Sequence, residues 1–220
     1  MAVLPFTAPQ FFDVFAHYNE NVWPAPVLAY AFGAIALVAA LRGGRAGNCI
    51  VAAVLAIFWL WTGVAYHWFA FATINSAAWA FGALFVVQGA LLFWFGIVKS
   101  RLRFVRRPDL TGAVGVLFIV YAAIIYPAVG YAAGHIYPRM PMFGIAPCPV
   151  TIFSLGMLLL ACPVPWAVLI VPVLWSLIGG SAAFLLDVSQ DWLLLFSGPV
   201  ALFLCRRTAP LADPPRAKAG

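Results

Sequence analysis

Apolar residues occupy this chain in long blocks, and polar residues gather in the short intervals between them. An apolar stretch must run for about 20 residues to cross a bilayer as a helix. The blocks predict seven such spans, at 24–41, 49–69, 78–98, 111–133, 150–162, 164–186 and 191–205. The fifth and seventh hold 13 and 15 residues, about 20 Å of helix against a hydrocarbon core of about 30 Å. Pro149 and Pro163 bound the fifth, and Gly198-Pro199 interrupts the seventh. Such short, broken segments either line a transporter cavity or are tilted helices that thin the bilayer locally. Ahead of the first span, Thr7 and Gln10 match a capping box, and Phe11, Phe15, Tyr18 and Val22 recur at helical spacing. This predicts an interfacial helix over about residues 8–22, lying flat on the outer surface with its apolar face down, as an anchor or a lid.

Composition sharpens this into a class. With 65% hydrophobic and 8% charged residues and a mean hydropathy of +1.03, the chain lacks the charge that covers a soluble globule. The expected fold is all-α, a polytopic membrane protein with a single transmembrane domain over 1–205 and a disordered cytoplasmic tail at 206–220. Residues 1–21 carry Asp13 and Glu20 but no Lys or Arg, so no signal-peptide n-region opens the chain.

The net charge of +6 does not point to nucleic acid. Arg42 and Arg45 lie between spans one and two; Lys99, Arg101, Arg103, Arg106 and Arg107 between three and four; Arg206, Arg207, Arg216 and Lys218 after the last. All of these fall on one side, leaving Arg139 on the other. Cytoplasmic loops are the basic ones, which puts the N-terminus outside and the C-terminus inside, with the basic residues set to meet anionic lipid headgroups. On this topology only Cys148 faces outward, while Cys49, Cys162 and Cys205 map near the inner face. No cysteine pair shares an oxidising compartment.

Chemistry-bearing residues collect at the outer ends of the segments. His17, His67, His135, Glu20, Asp187 and Asp191 map there, with Cys148 in the stretch Gly134 to Thr151, which also carries Tyr137 and Arg139 between prolines and glycines. Long apolar loops of this kind are functional more often than idle, and this one is expected to form one wall of an outward-facing site. Imidazole and thiolate make His67, His135 and Cys148 candidate ligands of a transition metal, although neither His-x-His nor Cys-x-x-Cys spacing is present. Two facing histidines would alternatively hold a haem. Cys148, near a helix N-terminus, is either a reactive thiol or a small packing residue. Gln88, the one amide near the middle of a span, either bonds another helix or meets a solute on its way inward.

Other classes fall away. Lys99 and Lys218 lie in cytoplasmic segments, so no lysine is placed for a retinal Schiff base. Gly-x-Ser-x-Gly, His-Glu-x-x-His and phosphate-binding glycine loops are missing. Glycines at 82, 89 and 96 form a smooth stripe for close helix packing, within the chain or in an oligomer, and Gly130 and Gly134 form a GxxxG pair.

Five strings carry a resemblance: Leu4-Pro5-Phe6-Thr7, Gly63-Val64-Ala65-Tyr66-His67, Gly134-His135-x-Tyr137-Pro138, Pro147-Cys148-Pro149-x-Thr151-Ile152-Phe153 and Ile178-Gly179-Gly180-Ser181-Ala182. They resemble an uncharacterised bacterial family of multipass membrane proteins of about this length, sometimes labelled permease. The resemblance spans nearly the whole chain and implies a bacterial inner-membrane protein, without naming a substrate. The arrangement of three spans, a linker span and three more is also similar to that of sugar-exporting semi-transporters.

The expectation is therefore a small-solute or metal-ion transporter or binding protein rather than an enzyme. Its outward-facing polar site would use His67, His135, Tyr137, Arg139, Cys148 and Asp187, with Gln88 on the path inward. The alternatives are a haem- or metal-dependent redox protein and a non-catalytic membrane subunit whose glycine stripes meet another protein's helices.

Overall fold

The computed structural model describes residues 4–207, so most of the expected disordered tail lies outside the described residues. Eight helices follow one another: α1 (Ala8–Asn21), α2 (Ala25–Arg42), α3 (Gly44–Thr73), α4 (Ala78–Val98), α5 (Leu110–Ala132), α6 (Pro147–Leu159), α7 (Ala167–Leu185) and α8 (Trp192–Arg207). Among the described residues there is no strand, only an isolated bridge between Phe104 and Ala161. Five of the helices, α2, α3, α4, α5 and α7, are long and apolar enough to cross a bilayer. Their outward faces carry large apolar side chains such as Leu28, Ile35, Leu117, Ile124, Ile170 and Leu177. Soluble monomers rarely expose such contiguous apolar surface, and the fold is compatible with a multipass membrane protein.

The remaining helices show what block length alone leaves open. All 13 residues of α6 are buried, so most of the short fifth block lies inside the bundle, enclosed by its neighbours. Its contact with α5 is backbone to backbone. A Cβ on Gly156 would come within 2.7 Å of the Gly115 carbonyl oxygen, and one on Gly115 within 2.9 Å of that of Gly156. Gly82, Gly89 and Gly96 of α4 allow a similarly close approach to α3, facing the Gly63 carbonyl and the side chains of Leu60 and Ala52. The glycine stripe is thus occupied by a seam inside the chain.

Prolines within these helices free carbonyls that other helices satisfy. Pro172 in α7 cannot donate to the carbonyl four residues earlier, and Gln88 Nε2 of α4 donates to that oxygen, on Val168, at 2.9 Å. Pro127 in α5 likewise leaves the Ala123 carbonyl, which accepts from the Tyr30 hydroxyl of α2 at 3.0 Å. Three helices also loosen into π-helical turns, Thr62–Ala70 in α3, Trp94–Val98 in α4 and Tyr121–Ile125 in α5. The turns in α3 and α5 carry or directly precede Tyr66, His67 and Tyr126, and such bulges are frequent at functional sites.

The capping box at α1 forms: Thr7 N–H donates to Gln10 Oε1 at 2.8 Å, and Gln10 N–H to Thr7 Oγ1 at 3.4 Å. The apolar face of α1 does not lie open for lipid, however. Phe15 stacks on Tyr66 with centroids 4.9 Å apart, the Tyr18 hydroxyl donates to the Ile145 carbonyl at 2.9 Å and accepts from Trp61 Nε1 at 2.8 Å. Asn19 Nδ2 reaches the carbonyls of Pro138 and Met140 at 2.7 and 2.8 Å. An amphipathic pattern specifies a buried face without saying what buries it; here the 134–146 loop and the end of α3 do so. The result is a capped end of the bundle.

Candidate functional site

Beneath that cap lies a cavity of about 140 Å³. Its wall is built by Phe6 before α1, Phe11 of α1, Tyr66, His67 and Phe71 at the end of α3, Phe81 of α4, Pro147 and Cys148 at the start of α6, and Trp175, Gly179 and Ser181 of α7. None of its lining residues is Asp, Glu, Lys or Arg.

His67 is the central polar group. It is fully buried, ringed by Phe85, Trp175, Tyr66 and Phe81 at centroid distances of 4.6, 5.0, 5.2 and 5.9 Å. Neither Nδ1 nor Nε2 has a hydrogen-bond partner. Trp175 Nε1 is likewise buried and unpartnered. It lies so close to α7's own backbone that a Cβ on Gly179 would come within 2.6 Å of it. Buried polar groups are bonded in the great majority of cases, and each exception costs about 1–3 kcal/mol. Three unbonded nitrogens on two touching rings, beside a cavity, mark where a bonding partner fits.

A second polar group adjoins the first. Asp191, in the turn before α8, is buried; its Oδ1 accepts from the Tyr126 hydroxyl at 2.7 Å, while Oδ2 has no partner. The Cys148 thiol neighbours both Asp191 and Trp175 and so connects the two groups. Gln190 beside it is buried with both amide atoms unbonded, and its backbone carbonyl accepts from Tyr121 at 2.9 Å.

Of the seven candidate site residues, His67 and Cys148 share the cavity and the other five do not. His135 sits in the loop, stacked on Phe12 with centroids 4.1 Å apart. Burial pulls its imidazole below the ordinary value, against the opposing influence of Gln190 and Asp187. The Tyr137 hydroxyl donates to the Asn19 carbonyl at 3.4 Å, and Arg139 pairs with Asp13 at 2.8 Å on the surface, so both fasten α1. Asp187 is exposed, at a left-handed turn with φ of 56°. Gln88 serves the carbonyl freed by Pro172. Of the expected wall from Gly134 to Thr151, only Pro147 and Cys148 line the cavity.

The candidate metal ligands do not converge. Among the described residues no three His, Cys, Asp or Glu side chains are grouped so as to hold a metal ion. A cavity of about 140 Å³ is also well below the about 300–1,000 Å³ of pockets for drug-sized ligands, which leaves no room for a haem macrocycle. Trp175, Tyr66, Tyr126 and Asp191 were not singled out as site residues in the sequence. The one signal for Tyr126 and Trp175 is their position beside Pro127 and Gly179-Gly180, where helix geometry is forced to change. Asp191 mapped to a span end, where a carboxylate is ordinarily assigned to water.

A helical bundle with five bilayer-length apolar helices and a small aromatic cavity under a capped end is the class of protein these features define. The chain belongs to a family of unknown function (DUF6064), which matches residues 8–213. No curated protein and no solved structure matches it.

Proposed function

We propose that this is a seven-span protein of the bacterial inner membrane, permease-like, with its N-terminus outside and C-terminus cytoplasmic. It binds a small neutral solute in the cavity beside His67, as a transporter or a binding protein. In this reading α1 is the lid over the outer end, and α6 and α8 complete the spans as short helices shielded by their neighbours. The observation that carries the proposal is the pair of unbonded His67 nitrogens at a cavity wall without formal charge. The basic residues on one side of the bundle support the orientation.

The test is thermal unfolding of the purified full-length protein against a panel of small neutral solutes, ions and divalent metals. A solute at 100 times its Kd stabilises by about 2.7 kcal/mol. At least one neutral solute is expected to raise the midpoint of the wild type and not that of His67→Phe. Shifts that ignore this substitution, or that come only from metals, would overturn the assignment. Cysteines introduced at Ser100 and Ile136 test orientation: an impermeant maleimide applied to intact cells should label the second and spare the first.

A further inference from the structure

We infer that the solute is a small neutral aromatic alcohol of the phenol class; this rests on the binding function proposed above and names its ligand. Size sets the first limit. At about 140 Å³ the cavity matches an engineered apolar cavity of about 150 Å³ that takes up benzene. A single six-membered ring fills it.

The wall sets the second. Phe6, Phe11, Tyr66, Phe71, Phe81 and Trp175 surround the space, and aromatic rings pack on one another edge to face with a gain beyond area burial. A charged ligand would be stripped of water with no lining carboxylate, ammonium or guanidinium to pair with, which is strongly unfavourable. The ligand is therefore uncharged.

Hydrogen bonding sets the third. Trp175 Nε1 only donates, whereas neutral imidazole offers one N–H and one lone pair. Both groups are buried and unbonded, with ring centroids 5.0 Å apart at 77°. A hydroxyl oxygen accepts from the indole and donates to the imidazole lone pair, as a water molecule also would, and an aryl hydroxyl adds the ring contacts that water lacks. Benzene satisfies neither nitrogen. An aliphatic alcohol satisfies both and forfeits the ring contacts.

The experiment compares phenol, benzene, cyclohexanol and benzoate on full-length wild type, His67→Phe and Trp175→Phe in one detergent, read by thermal midpoint and calorimetric titration. Partition into the micelle is measured for each ligand and affinities are compared at equal free ligand; between wild type and variants the same ligand's partition cancels. Phenol is expected to bind wild type about tenfold more tightly than benzene or cyclohexanol, with benzoate giving no shift. In both variants the preference for phenol over benzene should vanish while benzene binding remains. Equal binding of phenol and benzene to wild type, or a phenol preference that survives in the variants, overturns the inference. Should His67→Phe fail to give a monodisperse, cooperatively unfolding protein, Trp175→Phe alone decides. If phenol is ignored but another panel solute shows His67-dependent stabilisation, the ligand class is wrong and the binding site stands. If no panel solute does so, the site itself is wrong.

Discussion

Trp59 and Trp175 both pack against Phe85, at centroid distances of 4.4 and 4.9 Å. Trp59 Nε1 donates to Ser154 Oγ at 2.8 Å, deep in the contact between α3 and α6. Trp175 Nε1 has no nitrogen or oxygen acceptor, only the weakly accepting Cys148 thiol nearby. The contrast extends to the neighbourhood of each. Around Trp59 the hydroxyls of Thr62 and Thr151 return to carbonyls one turn back at 2.7 and 2.8 Å, and Gln88 completes the backbone at Val168. Beside Trp175 stands His67 with both ring nitrogens unbonded, and across the Cys148 thiol lies Asp191 with one carboxylate oxygen unbonded. Polar groups in the middle of the bundle mostly make helix backbones whole, Gln88 Oε1 being left unbonded there, whereas at the α1 end His67 and Trp175 hold open valences beside a cavity. The first arrangement is what stability requires, and the second costs stability in the empty protein.

The largest effect should come from breaking the middle. Gly156→Leu forces a side chain into the 2.7 Å approach to the Gly115 carbonyl, and α6, buried on every side, has nowhere to move. Overpacking of this kind costs about 3 kcal/mol. The variant should lose most of its cooperative thermal transition. An unchanged midpoint would show that α5 and α6 do not cross here.

The two ends are separated directly by a matched pair of substitutions. Ser154→Ala orphans a buried indole N–H and should cost about 1–3 kcal/mol. His67→Phe replaces an already unbonded ring by an apolar one of similar shape, which is neutral or stabilising. Opposite or clearly unequal shifts in the ligand-free thermal midpoint are expected. Equal losses would mean that His67 has a structural partner, and the comparison would collapse.

The same division explains what the sequence made readable. Apolar block length marked α2, α3, α4, α5 and α7 because lipid-facing helices must be long and apolar throughout. It cannot tell lipid from neighbouring helices for 150–162, where α6 is buried throughout, since burial inside a bundle produces the same composition as burial in lipid. The capping box of α1 is a local motif of three intervening bonds, and it forms at Thr7 and Gln10. The burial partner of α1 is a matter of tertiary packing with no local trace. At the site, His67 and Cys148 stood out by residue type. Trp175 and Tyr126 did not, because tryptophans and tyrosines in an apolar chain are ordinary, and only the placement of their polar atoms distinguishes them. The loop residues His135, Tyr137 and Arg139 drew notice by the same residue-type reasoning, yet they hold α1 in place.

The smallest effect concerns that cap and reads whether it rests on the unsatisfied end. Burial lowers the pKa of His135 from its ordinary value of 6.5, so the folded state binds fewer protons there than the unfolded chain. Stability therefore rises with pH wherever the unfolded state is the more protonated. The contribution is fully present above about pH 6.5 and is lost as the pH falls below it, as His135 takes a proton against its stacking on Phe12. Replacing His135 by Phe keeps the stack and removes the titration. Between pH 5.5 and 7.5, a range of about one pH unit on either side of the unperturbed histidine value, the variant's midpoint should vary less than that of the wild type. An identical pH profile would place the titrating group elsewhere and detach the cap from the polar cluster of Gln190 and Asp191 beneath it.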